Sequence, residues 1–350
     1  MANDTLDFVP RKSLPPGANV MHSHFVFDIK PRPDGSIEKF KARLVADGNT
    51  QKPGVDFEHV FATVVKLASI RVLLALAAAF SWGLWQLDVK QAFLQADLAE
   101  DLYMRVPPHL PDRDADGNLL VCKLKKSLYG LRQAAREWAQ LLTATLLRFG
   151  FRQSSIDTCV YVYNTDAASG SSDPSAPPAG VLILLVYVDD LVLAYSSELL
   201  RSRFVSFVTD ALPIDDRGEL QWILRMEIRR DVSARTLVLS QEHYVLKLLE
   251  KYGSELKPDA CFETPLDPEH ALTAEQCPAP NSPEWQTMSS KRPVYMSIVG
   301  ALLWLAAGSR PDITYAVSHL ARFCSNPGLV HYKALLRTLS YLSATLTFSN

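Results

Sequence analysis

The chain has 350 residues, 48% of them hydrophobic, and its 36 basic and 38 acidic residues leave a formal charge of -2. A chain of this length exceeds what one hydrophobic core usually supports, so two or three subdomains are expected. The charge balance argues against attachment to nucleic acid through overall charge. The sequence contains no apolar run long enough for a secretory signal or a membrane span, which predicts a soluble, intracellular (cytoplasmic) protein with no membrane partner.

The first half of the chain alternates predicted strands and helices. Residues 1–20 contain three prolines and no periodicity, which predicts a surface or disordered arm, with order beginning near Phe25. Strands are predicted at 25–27 and 40–46, with a turn at 33–35 that would make them a hairpin. A buried helix at 67–82, a strand at 85–89 and a helix at 134–149 follow.

The second half continues this alternation. Strands at 159–163 and 181–186 flank a proline-rich, small-residue loop, which predicts a solvated hairpin insertion. A helix at 199–211, a hairpin at 220–228 and 237–240, and a helix at 241–252 come next. Residues 257–293 contain seven prolines, which makes them the candidate boundary or extended connection, and helices are predicted at 295–307, 312–323 and 331–346.

Three aspartates interrupt apolar, strand-like runs. Asp189 and Asp190 lie between VLILLVY and LVLAY, and Asp88 lies between Leu87 and Val89. Aspartate is disfavoured in strands, and an unpaired buried carboxylate costs several kcal/mol. A tight turn at Asp189 and Asp190 and a satisfied structural role for Asp88 are the purely structural explanations, and both stay open.

A divalent metal site explains all three aspartates together if the two strands are neighbours in one sheet. Like charges that converge repel each other unless a cation neutralises them. Oxygen ligands without nearby histidine or cysteine suit Mg²⁺ or Mn²⁺ rather than zinc. Such a site with two ions would perform phosphoryl transfer: one ion lowers the pKa of a primer 3′-hydroxyl, and the other binds a triphosphate and stabilises the leaving pyrophosphate.

A basic stretch at 121–152 contains only one acidic residue, Glu137. A solvated helix face is the simpler explanation, and contact with a nucleic-acid backbone is the alternative. Its cationic members are Lys123, Lys125, Lys126, Arg132, Arg136, Arg148 and Arg152.

Tyr187-Val188-Asp189-Asp190 is similar to the YVDD box of reverse transcriptases. The family is indicated by that box together with four other segments in the same order: KARLVADG at 41–48, QLDVKQAFLQADL at 86–98, CKLKKSLYGLRQAAREW at 122–138 and RPDITYAVSHLARF at 310–323. Together they resemble the reverse transcriptase region of a copia-type LTR retrotransposon Pol polyprotein.

The resemblance implies an α+β right-hand polymerase fold. Fingers, palm and thumb would occupy 21–255, with an antiparallel palm sheet carrying the YVDD turn. A proline-rich connection at 256–293 and a helical tail at 294–350 would follow, and the family polyprotein would then continue into an RNase H domain.

The resemblance also assigns the metal ligands. Asp88, Asp189 and Asp190 match the catalytic carboxylates, and Asp88 and Asp189 would bridge two Mg²⁺ or Mn²⁺ ions. Asp190 is expected to be the weaker ligand because adjacent strand residues point to opposite faces. The carbonyl of Val89 would be a further ligand.

Further residues match substrate contacts of the family. Phe93 would be a steric gate under the sugar of the incoming dNTP, and Lys41 and Arg43 would contact its triphosphate. A core phenylalanine and exposed edge-strand charges are the competing explanations. The template backbone would be contacted by Lys123, Lys125, Lys126, Arg132 and Arg136. Expected partners are an RNA or DNA template with its primer, dNTPs, and the RNase H and integrase parts of the polyprotein.

Several positions depart from the family pattern. Arg225 stands where the family usually has glycine, and a positive φ there would add roughly 1 kcal/mol or more of strain. Ala135 replaces a common proline, and Asp47 replaces a usual lysine. These departures favour a second hypothesis, a catalytically decayed fragment that acts at most as a nucleic-acid-binding or interaction protein. An unrelated metal nuclease fits the carboxylates but not the other motifs.

Overall fold

A computed structural model describes residues 4–31, 36–165, 180–256 and 262–346. The chain divides into two compact units, Met1–Glu219 (unit 1) and Leu220–Asn350 (unit 2). The expected turn at 33–35 and nearly all of the expected hairpin insertion, 166–179, lie outside the described residues. Within the described ranges, none of the helices has the length and apolar character needed to cross a membrane.

Unit 1 is built mainly from β-strands. Its described strands are β1 (Leu6–Pro10), β2 (Val20–Met21), β3 (Ser23–Pro31), β4 (Ile37–Ala46), β5 (Gly83–Val89), β6 (Asp97–Arg105), β7 (Leu120–Lys126), β8 (Arg152–Gln153), β9 (Val160–Thr165), β10 (Gly180–Tyr187), β11 (Asp190–Tyr195) and β12 (Ile214–Glu219). Its described α-helices are α1 (Leu67–Ala79), α2 (Ala134–Phe149) and α3 (Glu198–Ala211).

The largest sheet of unit 1 has the strand order β12-β5-β11-β10-β9-β8, and every pairing in it is antiparallel. Leu87 of β5 and Leu191 of β11 are fully buried in a core that includes Trp138 of α2 and Phe204 of α3. Helices α2 and α3 therefore cover one face of the sheet. The predicted α+β class and the antiparallel sheet carrying the YVDD turn are confirmed.

A second sheet, of order β1-β7-β6-β2, corrects the expectation of an arm at residues 1–20. Strand β1 pairs antiparallel with β7, and Leu6 is buried against Leu124 and Met104. Order therefore begins well before Phe25. The sequence around Leu6 gave no local sign of a strand because its partner lies more than a hundred residues away.

Strands β3 and β4 form the predicted antiparallel hairpin. Its base is fixed where β4 ends, since the Ala46 amide donates to the Tyr129 carbonyl at 2.8 Å. The backbones are so close that a side chain on Gly130, whose φ is +90°, would collide with the Ala46 carbonyl. This contact holds the hairpin beside the turn that follows β7.

Unit 2 combines a small sheet with helices. Its described elements are β13 (Trp222–Ile223), β14 (Met226–Asp231), β15 (Thr236–Ser240), α4 (Glu242–Tyr252), α5 (Pro283–Gly308), α6 (Thr314–Ala321) and α7 (Leu329–Ala344). The predicted helices of the tail are thus present. The strand predicted at 220–228 is interrupted, because Ile223 pairs with Met226 across a two-residue turn.

The expected boundaries at 255/256 and 293/294 do not match the compact units. Leu248 of α4 and Ile298 of α5 are buried in one core, which Leu272 of the proline-rich segment also joins. Helix α5 begins inside that segment, where the Ser282 hydroxyl accepts from the Trp285 amide at 3.1 Å. Prolines ended the periodicity there, but the segment still buries apolar side chains and is not an extended connection.

Candidate active site

The sheet register of unit 1 brings Asp88 and Asp190 together. Asp190, the first residue of β11, pairs directly with Asp88 of β5, and Leu191 pairs with Leu87. Residues directly opposite in an antiparallel pair share a face, and successive residues alternate between faces. Both carboxylates therefore project from the sheet face opposite to the one that α2 and α3 cover.

Asp189 lies in the two-residue turn between β10 and β11, together with Val188. Val188 has a φ of 58°, an uncommon and strained conformation for a β-branched residue. Both turn carbonyls accept hydrogen bonds: Val188 O from Trp138 Nε1 at 2.7 Å, and Asp189 O from the Val89 amide at 2.9 Å. These bonds hold the turn in place next to β5.

This geometry changes the basis for ranking the two adjacent aspartates. The expectation of a weaker role for Asp190 assumed that both residues lie in one strand. Asp189 is a turn residue instead, and Asp190 is the strand residue that shares a face with Asp88. The alternation of strand faces therefore gives no reason to place Asp190 below Asp189 as a ligand.

The carboxylates repel one another. Asp189 is exposed as a residue, yet partial desolvation of its carboxylate, together with the charge of Asp88, raises its pKa. Burial and the charge of Asp189 raise the pKa of Asp190, although Gln86 Nε2 donates to its Oδ1 at 3.3 Å. A group of like charges in this arrangement attracts cations.

Two cations of β4 face this group. The charges of Arg43 and Lys41 act on Asp189 and oppose the rise of its pKa. The Arg43 guanidinium carbon lies 6.0 Å from the centre of the Tyr129 ring, and that ring meets Phe93 edge-on at 5.0 Å. Lys41 and Arg43 thus lie within electrostatic reach of Asp189, and Phe93 is connected to Arg43 through the Tyr129 ring.

Tyr129 is a site residue that the sequence analysis missed. Partial burial and the charge of Asp189 raise the pKa of Tyr129. The charge of Asp88 raises it further, whereas Arg43 lowers it. The residue stands in the SLYGLRQ motif, so a signal was present. Its place between β4 and the carboxylates depends on the Ala46–Tyr129 contact, which no local pattern predicts.

A metal position is not formed by side chains alone. Across residues 4–31, 36–165, 180–256 and 262–346, no three histidine, cysteine, aspartate or glutamate side chains stand close enough together to enclose an ion. The Val89 amide is used by the turn, and its role as a carbonyl ligand stays a prediction.

The sequence profile of the family described as "Reverse transcriptase (RNA-dependent DNA polymerase)" matches residues 3–266 of this chain. This match covers most of the chain. The chain belongs to the reverse transcriptase family.

Relatives of this reverse transcriptase chain include retrotransposon proteins of plants and yeast. It is 36% identical over 332 residues to the "Retrovirus-related Pol polyprotein from transposon TNT 1-94" of Nicotiana tabacum, covering 95% of this chain and 24% of that protein. It is 36% identical over 346 residues to the corresponding polyprotein from transposon RE1 of Arabidopsis thaliana, covering 99% and 22%. A transposon Ty5-1 protein of Saccharomyces cerevisiae is 31% identical over 260 residues, covering 74% and 76%.

These relatives confirm the copia-type retrotransposon assignment that the motifs suggested. The chain spans about a quarter of the length of the two plant polyproteins. Among solved structures, the foamy viral protease-reverse transcriptase in complex with double-stranded DNA has a TM-score of 0.39 at 12% identity, covering 98% of this chain and 45% of that chain. Likeness at this level is too weak to identify shared sites.

In this reverse transcriptase, the side chains of the basic stretch are less free to bind nucleic acid than the sequence suggested, because several are paired with other residues of the chain. Lys123 Nζ lies 2.7 Å from Asp101 Oδ1, and Lys125 Nζ lies 2.6 Å from Asp4 Oδ1. The pairing of β7 with β1 and β6 brings in acidic residues that are distant in sequence. Glu137 is the only acidic residue within the stretch, but the fold adds Asp101 and Asp4 as partners of its lysines.

Two of the four arginines of that stretch, Arg132 and Arg136, also have partners within the chain. Arg132 Nε donates to the Gly48 carbonyl at 2.8 Å, which ties it to the segment after β4. Arg136 Nη1 lies 2.7 Å from Glu137 Oε1. Template contact by these residues and by Lys126 stays a prediction.

Proposed function

We propose that this chain is an RNA-directed DNA polymerase that adds deoxynucleotides to the 3′-hydroxyl of a primer paired to an RNA or DNA template. The observation that carries the proposal is the register of β5 and β11. It places Asp88 opposite Asp190, with Asp189 in the adjoining turn. In a site of this kind, the carboxylates hold cations that neutralise the triphosphate. The carboxylates themselves contribute little as general acids or bases.

Two Mg²⁺ or Mn²⁺ ions would be held by Asp88, Asp189 and Asp190, with the Val89 carbonyl as a further ligand. When bound, the ions would lower the pKa of the primer hydroxyl and stabilise the leaving pyrophosphate. The donor set fits, because Mg²⁺ is commonly held by one or two carboxylates together with water and substrate phosphates. Burial, together with the charges of the neighbouring aspartates, raises the pKa of Asp189 and Asp190, and a bound cation would relieve both effects.

The incoming nucleotide would lie between β4 and the carboxylates. Lys41 and Arg43 would bind its triphosphate, for which the planar guanidinium is suited through paired hydrogen bonds. Phe93 and Tyr129, which pack edge to face, would form the surface beneath the sugar. A 2′-hydroxyl would collide with the Phe93 ring, so deoxynucleotides would be preferred over ribonucleotides.

The template strand would run over the basic stretch. Lys123 and Lys125 would exchange their exposed partners Asp101 and Asp4 for phosphates, because surface ion pairs contribute little and are easily replaced. Arg132 would fix the hairpin base through its bond to the Gly48 carbonyl and, with Lys126 and Arg136, would also contact the template backbone. The resemblance to copia-type Pol polyproteins suggests that the domain would act together with RNase H and integrase parts.

Extension of oligo(dT) on poly(rA) with Mg²⁺ or Mn²⁺ tests the proposal. Incorporation of dTTP by the wild-type chain, and its loss in the Asp189→Asn variant, is the expected result. Folded wild-type protein that incorporates no more than Asp189→Asn would refute the proposed activity.

A catalytically decayed fragment is the second candidate, and one observation favours it. Arg225 has a φ of 63°, so the position where the family usually has glycine does adopt a left-handed conformation here. The chain would then bind primer-template in a salt-dependent manner without extending it. Filter binding and extension measured on the same preparation separate the two candidates.

A further inference from the structure

Strand β12 contains a bulge beside the catalytic carboxylates. Asp216 pairs with Leu87 and Gly218 pairs with Gln86, so Arg217 is an extra residue without a partner on β5. A bulge of this kind redirects a side chain out of the regular pleat.

Two hydrogen bonds and a glycine maintain the bulge. Trp85 Nε1 donates to Asp216 Oδ1 at 2.7 Å, and the Gly218 amide donates to the same oxygen at 2.9 Å. Gly218 has a φ of +79°, which glycine adopts without strain. The direction of the Arg217 side chain therefore follows from the fold of the strand.

Arg217 is shared between a catalytic carboxylate and a second one. Its Nη2 atom lies 3.6 Å from Asp88 Oδ2 and 3.1 Å from Asp215 Oδ2. Asp215 pairs with Asp88 in the register of β12 and β5, so the two carboxylates share a face. The Arg217 side chain is 50% exposed, so its guanidinium is not locked by packing and can shift between them.

We propose that Arg217 is a positioning residue that holds the Asp88 carboxylate in the metal-free protein, and that a divalent cation displaces it from Asp88 onto Asp215. Asp215 lies on the same bulged strand as Arg217 and keeps the guanidinium paired after displacement. The inference rests on the proposed function only in that Asp88 binds a divalent cation. It does not require that the chain still polymerises.

Binding of Mn²⁺ alone, followed by water-proton relaxation enhancement, tests the proposal without nucleotide or activity. The Arg217→Gln variant removes the competing cation and is expected to bind Mn²⁺ up to about fivefold more tightly, the factor for loss of one exposed ion pair. Asp215→Asn leaves Arg217 with Asp88 alone, so it should bind Mn²⁺ more weakly. Circular dichroism checks that both variants are folded.

A double-variant cycle separates displacement from a general effect of charge. If Arg217 mediates the influence of Asp215, the Asp215→Asn change has a smaller effect in the Arg217→Gln background than in the wild type. Arg152→Gln, at the opposite edge of the same sheet, removes an equal charge and should leave Mn²⁺ affinity unchanged.

Three results would overturn the inference. The Arg217→Gln variant binds Mn²⁺ no more tightly than the wild type, the Asp215→Asn change has the same effect in both backgrounds, or the wild-type chain does not bind Mn²⁺. Failure of the proposed function looks different, because Mn²⁺ binding would then follow the expected order while primer extension remains absent.

Discussion

Replacing Arg225 by glycine should stabilise unit 2, although it removes a whole side chain. Leu224 and Arg225 have φ values of 48° and 63° and form the two-residue turn between the paired Ile223 and Met226. Positive φ at both positions is the pattern of a type I′ turn, in which glycine is strongly preferred at the second position. Arg225 is exposed, so its truncation removes little packing.

The expected gain from this glycine follows from two opposing effects. A non-glycine residue in the left-handed region costs about 1–2 kcal/mol. Glycine in turn costs about 0.5–1 kcal/mol through the greater freedom of the unfolded chain. The net stabilisation of Arg225→Gly is therefore roughly 0.5–1 kcal/mol.

Guanidinium unfolding, followed by tryptophan fluorescence, measures the gain, and Arg225→Ala is the matched control. Alanine removes the charge and the long side chain but keeps the Cβ atom that makes positive φ unfavourable. Arg225→Gly should raise the midpoint at an unchanged slope, while Arg225→Ala should not. Equal stabilisation by both variants would show that the side chain, and not the backbone conformation, causes the strain.

Three further predictions concern the candidate active site. Val188→Gly should stabilise the chain by up to about 1 kcal/mol in the same assay by relieving positive φ in the YVDD turn, and a loss of stability would contradict this strain. Burial and Asp189 raise the pKa of Asp190 above its ordinary 3.8, so stability is lost as pH rises from 3.8 through the raised value. Metal-free Asp190→Asn should therefore be more stable than wild type at neutral pH, with a difference that vanishes toward pH 3.8; a difference independent of pH would exclude this cause. In an active preparation, Phe93→Val should raise the efficiency of ribonucleotide relative to deoxynucleotide incorporation by about tenfold or more, and an unchanged ratio would remove Phe93 as the gate.

The helices were predictable because their signals are local. Helix α2 has the bounds that its apolar spacing predicts, 134–149, and Gly150 ends it with a φ of +112°. The β3–β4 hairpin was found for a similar reason, since both strands are rich in aromatic and branched residues on either side of a turn signal.

Strands whose stability comes from distant partners were missed. Strand β12 has the sequence IDDRGE, which no strand preference would select, and it forms because it pairs with β5. Strand β1 likewise depends on β7. For both, the hydrogen-bonding partner outweighs the intrinsic preference of the residues.

In the candidate site, too, some residues could be found from local sequence, whereas others depend on contacts between distant parts of the chain. Asp88, Asp189 and Asp190 were identifiable because a carboxylate within an apolar run contradicts its surroundings. Tyr129 and Arg217 reach the carboxylates through a backbone contact and a bulge, respectively, which only the folded chain reveals.

If the proposed function is correct, Asp88 is required for metal-dependent polymerisation. Its most direct test is the rate of dTTP incorporation on poly(rA)/oligo(dT) by the wild type, Asp88→Asn and Asp97→Asn, measured with Mn²⁺ on folded proteins. Asp97, an exposed aspartate at the start of β6, serves as the matched control. Incorporation that survives in Asp97→Asn and is lost in Asp88→Asn is the predicted result, whereas equal incorporation by all three proteins would contradict a catalytic role of Asp88.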